Sequence, residues 1–149
     1  MNKANITIKI QRPPFWILLK LFFPAYNPRG TVAVAFGRVV YANQDFSEDF
    51  KIHEETHLIQ QKRSYLYATY WWIKYVFSRK FRFYQELDAF RRQYRFVKEN
   101  KGRDLHLAEW AFAGSLASPL YGNLVSVAGA RNLIRDDQCY QLWKKEHGL

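Results

Sequence analysis

The segment HEETH, residues 53–57, places two histidines four positions apart, with a glutamate directly after the first. On an α-helix such residues lie one above the other, so His53 and His57 can direct both imidazoles to one point. Glu54 lies on the same side of this helix but is offset. A general base needs that position to take a proton from a metal-bound water. The spacing is that of a zinc-binding HExxH motif.

A catalytic zinc site needs a third protein ligand, with the fourth position left to water. The longer metzincin motif is excluded, because Gln60 and Arg63 occupy the positions where it requires glycine and histidine. Glu86 and Asp88 lie about 30 residues after His57, far enough for their helix to return antiparallel beside the first. They are therefore the candidates for the third ligand.

Helical periodicity helps to choose between these two carboxylates. Glu86 lies closer than Asp88 to the centre of an apolar stripe, which favours Glu86 as the ligand and Asp88 as a group that orients another side chain. The reverse assignment stays open, because helix packing can shift the centre of a stripe. The stripe consists of five residues at steps of four and three: Phe83, Leu87, Phe90, Tyr94 and Val97.

The alternative interpretation of HEETH is a charged helix whose surface histidines make solvated contacts with Glu54 and Glu55. Multiplying residue frequencies gives the motif by chance about once in two hundred such chains. Imidazole and carboxylate ligands suit zinc best among the available ions, so the predicted cofactor is Zn²⁺.

The elements that would position these residues follow in the order strands first, helices after. Alternation predicts a strand at 4–11, and residues 31–36 and 38–42 around Gly37 predict two more. Ser47 is the predicted N-cap of the HEETH helix, with acidic residues in its first turn. Further helices are predicted at about 65–77, 83–98, 104–117 and 125–135.

This order predicts an α+β, mainly helical fold with a small N-terminal β-sheet. The chain of 149 residues has no linker or repeat and is expected to form a single domain, 1–149, in which the segment 1–30 has no assigned role. Hydrophobic residues make up 48%, which excludes an intrinsically disordered protein. The helical spacing of Tyr65, Trp72 and Val76 predicts that much of the aromatic run 65–77 is core.

The net charge of +10 is concentrated in residues 62–103, where twelve Lys or Arg accompany three acidic residues. The excess indicates a basic face for nucleic acid, anionic membrane or an acidic partner, or a solvated surface. Cys139 is the single cysteine, which excludes an internal disulfide and fits a reducing compartment. No run reaches the roughly 20 apolar residues of a transmembrane segment, so the sequence is interpreted as a cytoplasmic protein whose aromatic N-terminal segment could touch a membrane or a partner.

Three segments, HEETHLIQQ, YWWIKYVFSRKFRFYQELDAFRRQY and WAFAGSLASPLYGNLVS, together resemble a group of small gluzincin-type zinc metallopeptidases encoded by bacteriophages and bacteria. The resemblance covers about residues 38–134, and the first 30 residues match nothing in the group. It implies a zincin-like helical domain with zinc bound by His53, His57 and an acidic residue of QELDA. Glu54 would be the catalytic base.

The activity that the resemblance implies is hydrolysis of an amide bond in a peptide or protein substrate, in the host cytoplasm or the virion if the chain is phage-encoded. His106 and Tyr121 are candidates to stabilise the oxyanion, with Tyr84 as a third. The alternatives are an ordinary histidine at 106 and a tyrosine at 121 that packs its turn.

A second class of function stays open beside the enzyme. In it, the protein is a phage structural or binding protein that uses a zincin-like scaffold and its basic surface to meet DNA, another protein or a virion component.

Overall fold

The computed structural model describes residues 5–23, 33–100 and 104–148. They form two compact units, one up to Phe77 and one from Ser78 onward, and each contains its own hydrophobic cluster. The predicted fold class is confirmed, because the described chain is mainly helical with a small three-stranded sheet near the N-terminus. The single domain 1–149 stays a prediction. Parts of the segment 1–30 and of the predicted strands 4–11 and 31–36 lie outside the described residues.

The first unit contains a three-stranded sheet and three helices, in the order β1 (Thr7–Ile10), α1 (Trp16–Phe22), β2 (Ala33–Phe36), β3 (Val39–Ala42), α2 (Glu48–Gln60) and α3 (Tyr65–Phe77). The sheet order is β1-β3-β2, with β1 parallel and β2 antiparallel to β3. Leu58 of α2 is fully buried and packs against Ala35 and Val40 of the hairpin. The HEETH helix therefore lies directly on the sheet.

Gly37 opens the two-residue loop between β2 and β3 and has a φ of +64°. Hairpin loops of this length favour glycine where φ is positive, because a side chain there is strained. A Cβ added at Gly37 would also lie 2.5 Å from Cδ1 of Tyr65. Both the turn and the close approach of α3 thus require glycine.

Gln61, directly after α2, joins the HEETH helix to the hairpin. Its side chain is fully buried, and its Oε1 accepts a hydrogen bond from the backbone N–H of Gly37 at 2.7 Å. Its Nε2 donates to the carbonyl of Ala35 at 3.0 Å, and Nε1 of Trp72 donates to the same carbonyl at 3.0 Å. The C-terminal end of α2 is therefore held by polar contacts as well as by packing.

The buried side of α3 differs from the one that the sequence indicates. Tyr65 is half exposed, and the buried side chains are Ala68, Trp71 and Tyr75. Trp71 stacks on Tyr75 with ring centroids 4.7 Å apart. Helix α3 carries large apolar residues on all of its sides. Their spacing alone therefore does not indicate which side is buried.

The second unit is helical, in the order α4 (Arg79–Asn100), α5 (Leu105–Leu116), a 3-10 turn (Pro119–Tyr121), α6 (Val127–Arg135) and α7 (Asp137–Glu146). The apolar stripe predicted for α4 is buried along its whole length and forms the core with residues of α5 and α6. The helices predicted at 83–98, 104–117 and 125–135 correspond to α4, α5 and α6.

The sequence interpretation missed the helices α1 and α7. Helix α7 could have been predicted, because aspartate is a favourable N-cap residue. The Asp136 carboxylate caps this helix by accepting hydrogen bonds from the backbone N–H groups of Gln138 and Cys139. Ser47 precedes α2 as predicted, but its side chain makes no capping hydrogen bond.

Replacing Gln61 with leucine should lower the free energy of unfolding by about 1–3 kcal/mol, because the buried N–H of Gly37 loses its acceptor. Urea unfolding followed by tryptophan fluorescence measures the change. The control is Gln141→Leu, an exposed position on α7. Equal unfolding midpoints for the two variants would contradict the structural role of Gln61.

Candidate metal centre

All five side chains of HEETH are buried, each less than 10% exposed. The alternative of a solvated charged helix is therefore wrong. Burying ionisable groups costs free energy unless each group has a partner. Glu55 has two such partners. It accepts hydrogen bonds from Nη2 of Arg63 at 3.0 Å and from the backbone N–H of Asn5 at 3.1 Å. Glu55 and Arg63 thus have structural roles in the first unit.

The two histidines of the motif direct their Nε2 atoms at each other. The Nε2 atoms of His53 and His57 are 3.2 Å apart, and their rings are nearly perpendicular at a centroid distance of 4.9 Å. Two imidazole nitrogens about 2.0–2.1 Å from one tetrahedral zinc ion are about 3.3 Å apart. The observed separation therefore fits two ligands of one metal ion.

Contacts around the rings restrict both imidazoles. Nδ1 of His57 lies 2.9 Å from Oε1 of Gln60. Because a carbonyl oxygen only accepts hydrogen bonds, this contact favours a proton on Nδ1 and a lone pair on Nε2. The His57 ring also packs against Trp71, with ring centroids 5.5 Å apart, and the His53 ring stacks on Phe50, with centroids 5.7 Å apart. Packing and hydrogen bonding together orient the nitrogens.

The structure groups Glu86 with the two histidines. Glu86 is 3% exposed, and one ligand atom from each of Glu86, His53 and His57 lies within 4.8 Å of the others. This buried group could hold a metal ion. Two imidazoles and one carboxylate are a ligand set that zinc accepts in catalytic sites.

Asp88 does not belong to this group. Its side chain is exposed, and its carboxylate accepts a hydrogen bond from the hydroxyl of Tyr140. Burial raises the pKa of the Tyr140 phenol above its ordinary value, and the hydrogen bond to Asp88 raises it further. The phenol therefore stays protonated and donates to Asp88 at neutral pH.

The three oxyanion candidates make contacts within the second unit. His106 is exposed, and its Nε2 accepts a hydrogen bond from Nε1 of Trp110 at 3.2 Å. Tyr121 packs against the core of that unit. The hydroxyl of Tyr84 is buried without a hydrogen-bond partner among the described residues, and burial raises its pKa. A catalytic role for any of the three stays a prediction.

Part of the basic segment 62–103 is neutralised within the fold. The buried guanidinium of Arg91 donates to the backbone carbonyl of Leu133 and to the carboxylate of Asp137. Arg95 donates to the same carboxylate at 2.6 Å. These arginines therefore contribute to the packing of the second unit as well as to its charge.

Comparison with protein-family models, with curated proteins and with solved structures finds no match to this chain. The resemblance to gluzincin-type metallopeptidases thus stays a prediction. Within residues 5–23, 33–100 and 104–148, no helix has both the length and the apolar character to cross a membrane.

Sequence reasoning excluded a metzincin motif at Gln60 but did not assign this residue a role. The sequence could have indicated a contact between Gln60 and His57, because the two are three positions apart and residues at this spacing are neighbours on a helix. The structure adds Gln60 as a group that orients a candidate ligand.

Elemental analysis of protein purified without chelator should find about one zinc per chain. His57→Ala and Glu86→Ala should each remove most of it, because each deletes a grouped ligand atom. Asp88→Ala, with its fold checked by circular dichroism, should keep the metal. Loss of zinc from the Asp88 variant but not from the Glu86 variant would contradict this ligand set.

Gln60→Ala should weaken zinc binding by about 10–100-fold, measured by competition with a chromophoric chelator, because Nδ1 of His57 loses its acceptor. Gln60→Glu retains an oxygen acceptor and should bind zinc close to the wild-type affinity. Equal losses in both variants would show that Gln60 does not act through this hydrogen bond.

Proposed function

We propose that the protein is a zinc-dependent hydrolase, a metallopeptidase that cleaves amide bonds. The observation that carries the proposal is the pair of buried Nε2 atoms of His53 and His57, 3.2 Å apart, on a helix that also carries the buried Glu54. A helix that only needs to pack gains nothing from burying three ionisable side chains together. The gluzincin-like pattern of the sequence supports the same interpretation.

In this proposal His53, His57 and Glu86 hold the zinc ion. When bound, zinc supplies Lewis acidity, which lowers the pKa of water from about 15.7 toward 7 and polarises a carbonyl group. Glu86 contributes a negative charge that partly compensates the cation. The surrounding aromatic rings, Phe50 and Trp71, limit access of solvent to the imidazoles.

Glu54 is the general base in the proposed reaction. It follows His53 directly in the chain, so it lies near the two imidazoles without sharing their position on the helix. Its carboxylate would accept a proton from the attacking water and pass it to the nitrogen of the leaving amine. Water adds to the carbonyl carbon, the C–N bond breaks, and the products are a carboxylic acid and an amine.

A second candidate function is binding of nucleic acid or of a virion protein through the basic surface. The net charge of +10 favours it, because peptide hydrolysis does not require such an excess. Binding to phosphates would weaken steeply as salt rises. This function does not need Glu54, which separates it from the first candidate.

Glu54→Gln should abolish hydrolysis and leave zinc bound, because an amide cannot accept the proton. We expect a loss of at least about 100-fold in rate. The measurement is mass spectrometry of a complex peptide mixture incubated with zinc-loaded protein, scoring products that appear with the wild type.

The matched control is Glu48→Gln in the first turn of the same helix, where the side chain pairs with Lys51. This variant should keep the wild-type products and rates. If the Glu54 variant retains zinc and all wild-type cleavages, the hydrolase proposal fails. Salt-sensitive nucleic-acid binding by both variants would then favour the second candidate.

A further inference from the structure

Helices α1 and α3 of the first unit expose an unusual amount of apolar surface. Only Leu19 of the seven residues of α1 is buried. Six large apolar side chains of the two helices are each 44–74% exposed, and we call them the α1–α3 surface: Ile17, Leu18, Leu21, Phe22, Ile73 and Phe77. Contiguous exposed apolar surface commonly marks a site of interaction.

The α1–α3 surface is continuous across the two helices. The rings of Phe22 and Phe77 meet edge to face at 5.6 Å. Leu18, Phe22, Ile73 and Phe77 also line a cavity of about 290 Å³ between the helices, whose lining is almost entirely apolar. Such a cavity suits a hydrocarbon chain and offers few groups that could recognise a polar ligand.

The charged residues in the two segments that contain α1 and α3 all have one sign. No acidic residue occurs in residues 1–44 or 62–85, the segments that contain α1 and α3, whereas each segment contains six Lys or Arg. Lys20 and Lys74 are exposed and lie within the two helices. Helices that combine exposed apolar side chains with exposed cations complement a surface that is apolar inside and anionic outside.

Aromatic and basic residues meet at this surface in the way that bilayer interfaces favour. The Lys74 ammonium lies 4.6 Å from the ring centroid of Tyr70, and the Arg12 guanidinium lies 5.2 Å from that of Trp16. Amphipathic rings and long basic side chains place their apolar parts among acyl chains and their polar ends among headgroups.

From these observations we propose that the α1–α3 surface binds the interface of an anionic phospholipid bilayer. The apolar side chains enter the boundary between headgroups and acyl chains, and Lys20 and Lys74 contact lipid phosphates. The binding is peripheral, and it does not depend on the candidate metal centre or on the proposed hydrolysis.

The test is co-sedimentation of the full chain with two kinds of vesicle, phosphatidylcholine alone and phosphatidylcholine mixed with phosphatidylglycerol. The protein should bind the mixed vesicles. Binding should fall when salt rises from about 0.1 M to 1 M, because the screening length falls from about 10 Å to about 3 Å. Tryptophan emission should shift to shorter wavelength on binding.

Two pairs of matched variants distinguish binding through this surface from a nonspecific effect of net charge or hydrophobicity. Lys20→Glu with Lys74→Glu should weaken binding by at least about tenfold, because each cation near an anionic membrane contributes about fivefold. Lys98→Glu with Lys145→Glu makes the same change of charge at exposed positions of the second unit and should bind nearly as the wild type.

The apolar pair tests insertion directly. Leu21→Ser with Phe77→Ser should lose most binding, whereas Leu107→Ser with Leu142→Ser, exposed positions of the second unit, should retain it. Failure of the wild type to bind mixed vesicles, or equal binding to neutral vesicles, would overturn the proposal. A wild-type dimer in sedimentation equilibrium that the Leu21 and Phe77 changes dissociate would also overturn it, because a second copy would then cover the surface.

Discussion

The burial of the HEETH segment is the constraint on which the rest of the candidate site depends. Ionisable side chains lose most of their hydration when they are buried, so each must find charge or hydrogen-bond partners inside the protein. Glu55 accepts hydrogen bonds from Arg63 and from the backbone N–H of Asn5, and Nδ1 of His57 is within hydrogen-bond distance of Gln60. The polar contacts of the segment therefore fix its side chains as firmly as apolar packing would.

The position of α2 matters because ligand nitrogens must be placed to within a fraction of an ångström. Leu58 anchors the helix to the sheet, and Gln61 bonds its end to the β2–β3 hairpin. Gly37 makes this possible, since its N–H reaches Gln61 only through a tight turn with positive φ. A site built on a helix that is held at both its apolar side and its end keeps its geometry.

The basic residues of the chain occur in at least two physically different settings. In the second unit, Arg91 and Arg95 share the carboxylate of Asp137, and the charge stabilises packing of helices. In the first unit, Lys20 and Lys74 are exposed within helices that also expose large apolar side chains. Net charge alone does not distinguish these two settings, because it does not reveal which cations are buried among packed helices and which are exposed.

The amino-acid sequence by itself determined the features that follow from local geometry. The spacing of His53 and His57 predicts convergent imidazoles because a helix repeats every 3.6 residues, and the structure places their Nε2 atoms together. The fold class and the buried stripe of α4 were predictable for the same reason, since periodicity reports which side of an element is apolar.

The tertiary structure alone decided the features that depend on how elements pack. Glu86 and Asp88 are two residues apart on α4, and only the packing within the second unit decides that Glu86 is buried whereas Asp88 is exposed and accepts a hydrogen bond from Tyr140. The buried side of α3 could not be predicted from the sequence either, because apolar residues occur all around that helix. Periodicity indicates which side of a helix can be buried, whereas long-range contacts decide which side is buried.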